Sequence, residues 1–314
     1  MTTFAITILG CGASLPLLSR NPSAQVVNVH EKLFLLDCAE GTQLQLRKYR
    51  VKFQRIQHIL ISHLHGDHYY GLIGFLMTNH LLGRQKELHL YAHKELKEVM
   101  EMHLRISQTE LRYPLIYHDF DPEKHQVIYD AGDMQIEAFP LEHNFPASGF
   151  IFREKKGRLN IDKDFIRGRK ISHAEIQQIK SGEDYTDPEG RVFKNEEITL
   201  PSPEPRSYAY CSDTAYHEPI IPYIEGVTLL YHESTFMQDM AEAAREKFHA
   251  TASEAATIAK KARVKRLLLG HYSARYRNLD EMRREAAEIF PETILADDGK
   301  VILLPQEPSE KGVE

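Results

Sequence analysis

The sequence has few cysteines and no long apolar run. Its three cysteines, Cys11, Cys38 and Cys211, form no CxxC pair. An odd number of cysteines fits reduced thiols in a cytosol better than a disulfide framework. No apolar stretch approaches the roughly 20 residues that a membrane helix needs, and the N-terminus lacks the basic start of a signal peptide. We therefore expect a cytoplasmic protein with no membrane partner.

The chain also lacks an overall positive charge, since its formal net charge is −6. This average at first argues against a nucleic-acid partner. The basic residues are unevenly distributed, however: residues 153–170 contain eight Lys and Arg against three Asp and Glu, and residues 260–284 contain nine against two. Charge runs are usually solvated faces. Two basic stretches in an acidic protein nevertheless suit a polyanionic substrate.

Apolar runs alternate with helix-like segments, which predicts the α/β fold class. Strands are predicted at residues 4–9, 32–36, 59–61, 88–91, 136–139, 208–211, 227–231, 267–269 and 301–304. Helices are predicted at residues 42–48, 71–82, 94–104, 253–262 and 279–290. Residues 153–206 break this rhythm because they are polar, carry both charge signs and contain little apolar material to build a core. They are either an arm that projects from the body or a disordered loop.

The segment His63-Leu64-His65-Gly66-Asp67-His68 carries the most chemical information, and it lies between a predicted strand and a predicted helix. Imidazole and carboxylate groups are the ligands of zinc-like metals, and two metals about 3.5–4 Å apart need such crowding. Satisfied polar residues on a loop are the alternative. That alternative is disfavoured because clustered imidazoles would repel one another once protonated, whereas a metal keeps them neutral.

Three further candidate ligands also follow predicted strands: His143, Asp213 and His271. Ligands in open α/β sheets gather at the carboxyl ends of strands. With the first segment they make seven ligand-type residues, enough for two metals that share a carboxylate. Taken singly, His143 also fits a surface turn, Asp213 a turn or helix cap, and His271 a partly buried histidine.

These motifs together resemble the metallo-β-lactamase superfamily and, within it, the short form of the ribonuclease Z family of tRNA 3′-processing endonucleases. The supporting segments are residues 36–43 (LDCAEGTQ), 141–143 (LEH), 211–214 (CSDT), 232–236 (HESTF), 248–251 (FHAT) and 270–276 (GHYSARY). The resemblance implies an αβ/βα sandwich of two sheets faced by helices. It further implies one nuclease domain over residues 1–305, an inserted exosite arm at 153–206, and a C-terminal tail at 306–314.

The resemblance also implies a cofactor, two Zn²⁺ ions per chain. The positions that match the family's ligands are His63, His65 and His143 for the first ion, Asp67, His68 and His271 for the second, and Asp213 as the bridge. A metal hydroxide would attack the phosphodiester, and Asp67 would orient that water or accept its proton. His249, supported by Glu233, would protonate the departing 3′-oxygen. From the residues alone, His249 could instead belong to a helix cap region and Glu233 to a solvated strand end.

The function implied is removal of 3′ trailers from precursor tRNA, which leaves a 3′-hydroxyl on the tRNA. The arm would bind the tRNA body, and the family usually forms homodimers. Two rival functions stay open: a hydrolase of small thioesters or phosphodiesters, and a non-catalytic RNA-binding protein. The basic arm and the His249–Glu233 pair disfavour the first rival, and the complete ligand set disfavours the second.

Overall fold

A computed structural model describes residues 2–306 of the chain. Within that range the strands are β1 Phe4–Gly10, β2 Ala24–Val29, β3 Lys32–Leu36, β4 Ile56–Leu60, β5 Leu88–Ala92, β6 Leu115–Asp119, β7 Gln126–Asp130, β8 Met134–Leu141, β9 Ala147–Glu154, β10 Asn160–Ile161, β11 Tyr185–Thr186, β12 Val192–Phe193, β13 Thr199–Leu200, β14 Ser207–Cys211, β15 Leu229–Glu233, β16 Leu267–Gly270, β17 Thr293–Leu295 and β18 Val301–Leu303.

The α-helices of the same range are α1 Thr42–Lys48, α2 Gly66–Tyr69, α3 Leu72–Leu81, α4 Glu95–Ile106, α5 Lys163–Ile166, α6 His173–Lys180, α7 Asn195–Ile198, α8 Ile221–Ile224, α9 Ala241–Glu246, α10 Ala252–Lys261 and α11 Asp280–Ile289. Short 3-10 helices cover Phe53–Arg55, Glu218–Ile220 and Gln238–Met240. Among the described residues, no helix is both long enough and apolar enough to cross a membrane.

Two seven-stranded sheets form the body of the described residues. The first has the order β18-β1-β2-β3-β4-β5-β6, and the second has the order β17-β16-β15-β14-β9-β8-β7. In the first sheet β3 to β6 are parallel, and in the second β14 to β17 are parallel. Each parallel set lies beside an antiparallel set.

The larger apolar core joins the inner faces of the two sheets. Phe34 of β3 meets Phe152 of β9 edge to face, with ring centroids 5.4 Å apart, and both belong to a buried cluster that spans both sheets. A second cluster packs β3, β4 and β5 against helices α1, α3 and α4 through residues such as Leu46, Leu76 and Leu96. Burial of both faces accounts for the continuous apolar runs of the parallel strands.

The predicted strands and helices are all present, with ends that differ by a few residues. The strands that the sequence did not predict are β2, β6, β7, β9 to β13 and β17. Strands β6 and β7 are the edges of their sheets, and their side chains are mostly half-exposed or exposed. Half-buried edge strands carry polar residues, so they lack the apolar run by which the central strands were recognised.

The prediction that residues 153–206 hold too little apolar material for a core is wrong. Ile161, Ile179, Tyr185 and Ile198 are buried together there, and partly buried side chains pack against them. The small sheets β10-β13 and β11-β12 and the helices α5 to α7 lie in this segment. The ends of the segment belong to the body, since β9 contains Arg153 and β14 begins at Ser207. Of the predicted tail, residues 307–314 lie outside the described residues.

Candidate metal centre and proton donor

The HxHxDH segment follows shortly after the end of β4 at Leu60, and its second half forms helix α2. Asp37, directly after β3, supports this segment through hydrogen bonds to Ser62, the residue before His63. Its carboxylate accepts hydrogen bonds from the backbone N–H and the hydroxyl of Ser62, at 2.8 and 3.0 Å, and from the hydroxyl of Tyr210, at 2.8 Å. Asp37 is fully buried and has a φ of +53°. The left-handed backbone at the end of β3 therefore places the Asp37 side chain against the HxHxDH segment.

The first group of candidate ligands consists of His63, His65, His143 and Asp213, whose ligand atoms all lie within 4.8 Å of one another. His65 Nδ1 is 3.1 Å from His63 Nε2 and 3.2 Å from His143 Nε2. Asp213 Oδ2 is 3.8 Å from His63 Nε2 and 4.0 Å from His143 Nε2. Residues that follow β4, β8 and β14 thus converge on one point between the sheets.

The second group consists of Asp67, His68, Asp213 and His271, again within 4.8 Å of one another. Asp213 Oδ1 lies 3.2 Å from His68 Nε2 and 3.1 Å from His271 Nε2. Asp67 Oδ2 is 3.6 Å from each of these nitrogens and accepts a hydrogen bond from the backbone N–H of Ser14 at 2.8 Å. The two groups share Asp213, with one carboxylate oxygen toward each.

The outer nitrogens of three imidazoles are held by other groups. His68 Nδ1 is 2.8 Å from Asp37 Oδ2, His143 Nδ1 donates to the carbonyl oxygen of Phe248 at 3.0 Å, and His271 Nδ1 is 2.9 Å from Thr235 Oγ1. The inner Nε2 atoms of His68 and His271 are buried without a hydrogen-bond partner. In His68 and His271, one ring nitrogen is therefore fixed by a neighbouring group, and the other is buried and points toward Asp213. This arrangement fits the donor set of a metal ion.

The pKa values of Asp213 and His63 are shifted by burial and by neighbouring charges. Burial raises the pKa of Asp213, but His271 and His68 lower it more, so this pKa lies well below its usual range. Burial and the neighbouring His68 hold the pKa of His63 well below its usual range, although Asp213 opposes them. At Asp213 and His63, an ionised carboxylate beside a neutral imidazole is the protonation state that a divalent cation requires. Burial lowers the pKa of His68, but Asp213, Asp67 and Asp37 raise it well above its usual range, so a cation would take the place of a proton there.

Glu233 and His249 form a separate pair at the edge of these groups. Glu233 Oε1 is 2.7 Å from His249 Nδ1, and the His249 ring lies 5.4 Å from the rings of His143 and His271. Burial lowers the pKa of His249, but Glu233 raises it more, and the pKa reaches about 9. This imidazole is therefore protonated at neutral pH in the described structure.

Glu233, His249 and His271 also lie close enough to hold a metal among themselves, but the hydrogen bonds argue against it. Both oxygens of Glu233 are already occupied: they accept from the N–H groups of Thr214 and Thr235, from the Thr235 hydroxyl and from His249. A carboxylate with these four contacts has no lone pair left for an ion. The pair is better suited to proton transfer than to metal binding.

All nine residues predicted for the site lie close together, and the alternative interpretations of Glu233 and His143 are wrong. Glu233 is fully buried rather than solvated at a strand end. The His143 side chain is 2% exposed, unlike that of a surface turn. His249 does lie in the cap region of α10, two residues before the N-cap Thr251, whose side chain accepts from the Glu254 N–H, and it contacts Glu233 in addition. No role was predicted for Thr235, which links Glu233 to His271; the available signal was its place in the segment 232–236 (HESTF) that supports the family resemblance.

The chain is similar to several known proteins over most of its length. Residues 4–179 match the family model of the anti-Pycsar protein Apyc1. A ribonuclease Z of Phocaeicola vulgatus is 47% identical over 94% of this chain and 96% of its own length. The crystal structure of human tRNase Z, short form, superimposes with a TM-score of 0.69 at 27% identity, over 96% of this chain and 99% of that one. The metallo-β-lactamase fold protein YhfI of Bacillus subtilis shares the fold, with a TM-score of 0.67, 20% identity and coverage of 96% and 100%.

Proposed function

The chain belongs to the ribonuclease Z family and has the metallo-β-lactamase fold, and on this premise we propose that it is a zinc-dependent endoribonuclease that removes 3′ trailers from precursor tRNA. The product would be a tRNA with a 3′-hydroxyl. One observation carries the proposal: two groups of candidate ligands share Asp213, and a protonated imidazole, His249, stands beside them.

The donor chemistry supports two zinc ions. Each group offers imidazole nitrogens together with a carboxylate, a ligand mixture that zinc accepts. One ion would be held by His63, His65 and His143, and the other by Asp67, His68 and His271. Asp213 would bind both ions. Bound there, the two cations would act as Lewis acids toward the phosphate and the attacking water.

The chain's own residues supply orientation and protons. Asp67 is fixed by the N–H of Ser14, and His68 and His271 hold its pKa well below its usual range against the effect of burial. An ionised Asp67 can orient the attacking water by accepting its hydrogen bond. His249 can donate the Nε2 proton to the departing 3′-oxygen, because its Nδ1 is occupied by Glu233.

We further propose that residues 1–305 form one nuclease domain and that the segment 153–206 is its exosite arm. The exposed side chains of Lys156, Lys163 and Lys170 on the arm support contact with tRNA phosphates.

Two exposed apolar side chains support a homodimer: Leu44 on helix α1 and Leu81 on helix α3 are 72% and 76% exposed. A homodimer would cover such side chains, and the buried free cysteines suit the cytoplasm.

The deciding experiment is cleavage of a precursor tRNA with a defined 3′ trailer. We expect a single cut at the tRNA 3′ end, a 3′-hydroxyl on the tRNA, and loss of cleavage after chelation that returns with Zn²⁺. A small aryl phosphodiester assayed in parallel tests the metal centre independently. Turnover of that diester with no cleavage of precursor tRNA would favour the small-molecule hydrolase. Absence of bound metal and of both activities would favour the non-catalytic RNA-binding protein.

A further inference from the structure

A cavity of about 740 Å³ opens beside the candidate metal centre. Its walls come from the carboxyl ends of β5 and β6 and from the turn after β8, and they include His93, Glu95, Asp119, Phe145 and Pro146. The cavity therefore lies at the same edge of the first sheet as the HxHxDH segment, one and two strands further along. Its volume falls within the range of pockets that enclose small ligands.

Phe145 joins this cavity to the metal centre. Its side chain is 39% exposed, and its ring centroid is 5.7 Å from that of His65, a member of the first ligand group. One face of a large aromatic ring is thus available to a ligand that also reaches the metal centre. Aromatic rings in such positions stack on nucleobases, whatever the identity of the base.

The polar wall of the cavity has an excess of negative charge, because four carboxylates line it, Glu95, Asp119, Asp121 and Glu123, against one cation, Lys94. Glu95 and Asp119 are exposed, and neither has an ion-pair partner among the described residues. His93 is 4% exposed and lies 3.4 Å from the Ser148 hydroxyl through Nε2. Burial lowers the pKa of His93, although Glu95 opposes it, so this imidazole is neutral and does not cancel the carboxylates.

These features select the kind of group that the cavity can hold. The carboxylates outnumber the single cation, Lys94, so the cavity disfavours the phosphate backbone of a nucleic acid. They attract N–H donors, and a carboxylate accepts well from the exocyclic amino group of cytosine. A nucleobase with an amino group supplies both the flat face that Phe145 needs and the donor that Asp119 needs. Uracil has the flat face, but its only base donor, N3–H, lies between two carbonyl oxygens that repel a carboxylate.

We propose that this cavity binds the base of a nucleotide next to the scissile phosphate, stacked on Phe145 and donating its amino group to Asp119. The proposal rests on the proposed function, since it takes RNA as the substrate. It adds a specificity that the metal centre does not provide: at one flanking position the enzyme discriminates against uracil.

The test uses precursor tRNAs that differ only by cytosine or uracil at each of the two nucleotides flanking the cleavage site. At one of these positions, the wild-type kcat/KM is expected to be roughly 5- to 10-fold higher with cytosine. In Asp119→Asn this ratio falls toward one, because an amide can both donate and accept. Glu110→Gln, which neutralises an exposed carboxylate beyond the end of α4, keeps the wild-type ratio.

A second pair of variants tests the stacking. Phe145→Leu keeps an apolar side chain without a π face and should lower kcat/KM for RNA on the order of 10-fold, whereas Phe145→Tyr restores it. Metal content is measured in every variant to show that the neighbouring site is intact. Equal cleavage of all precursors by the wild type, or an unchanged ratio in Asp119→Asn, overturns this inference alone. A wild type that cleaves no precursor overturns the proposed function, and this inference with it.

Discussion

The Glu233 carboxylate lies 2.7 Å from Nδ1 of His249, and this carboxylate is fully buried. The same carboxylate accepts from the hydroxyl of Thr235, which is 2.9 Å from Nδ1 of His271. One buried negative charge therefore fixes the orientation of the proposed proton donor and of a proposed metal ligand. This coupling explains why a carboxylate occupies a site with no access to solvent, where an unpaired charge would be costly.

The leaving-group role of His249 predicts a difference between substrates. His249→Ala should lower cleavage of precursor tRNA by roughly 10²- to 10⁴-fold, because the 3′-oxygen then departs without a proton. Hydrolysis of an activated aryl phosphodiester should fall far less, since its leaving group needs no proton. The measurement is the ratio of kcat for the two substrates. Equal reductions on both would show that His249 is structural.

The shared carboxylate predicts a metal defect. Replacement of Asp213 by Ala should remove a ligand from both ions, so the metal content should fall from about two per chain to less than one. Elemental analysis of the purified protein measures this directly. Asp239→Ala is the matched control, because Asp239 is exposed and lies outside the ligand groups. Full occupancy in the Asp213 variant would contradict the assignment.

The arm predicts a change in salt dependence. Lys156, Lys163 and Lys170 are exposed, so their joint replacement by Ala should spare the small apolar core of the arm and weaken binding of precursor tRNA. The slope of log K against log salt should become shallower by roughly 0.7–0.9 for each phosphate that the variant no longer neutralises. Binding titrations at several salt concentrations measure this slope. An unchanged slope and affinity would point instead to the basic stretch at residues 260–284.

Glu154 predicts a pH dependence of stability. Burial raises the pKa of Glu154, but Arg206, 2.6 Å away, and His30 lower it more. A lowered folded pKa means that the stabilisation is complete above the unfolded value of about 4.3 and is lost as the pH falls through the folded value. Glu154→Gln should therefore be destabilised at pH 7, and its deficit should shrink as the pH falls from about 5 to 3.

Denaturant unfolding of the wild type and the variant across this pH range measures the deficit. Both proteins carry the same candidate metal ligands, so protonation of those groups cancels in the difference. Glu110→Gln provides the control for removal of an exposed carboxylate. A deficit that stays constant down to pH 3 would show that Glu154 does not titrate with the predicted sign.

The sequence alone determined the parallel strands and the residues that follow them. Periodicity and apolar runs are local properties, and the carboxyl ends of parallel strands meet at one edge of a sheet whatever the rest of the fold. For this reason His63, Asp213 and His271 could be assigned to one site although up to 208 residues separate them in the chain.

The support of these groups depends on contacts between residues that are distant in the chain. Three features depend on how the two sheets and their loops pack. They are the contact of Ser14 with Asp67, the link from Glu233 through Thr235 to His271, and the cavity beside Phe145. The apolar core of the arm is similar, because Ile161 and Ile198 are isolated in the sequence and meet only when β10 pairs with β13. Contacts between distant residues leave no periodic signal in the chain, so local reasoning could not find them.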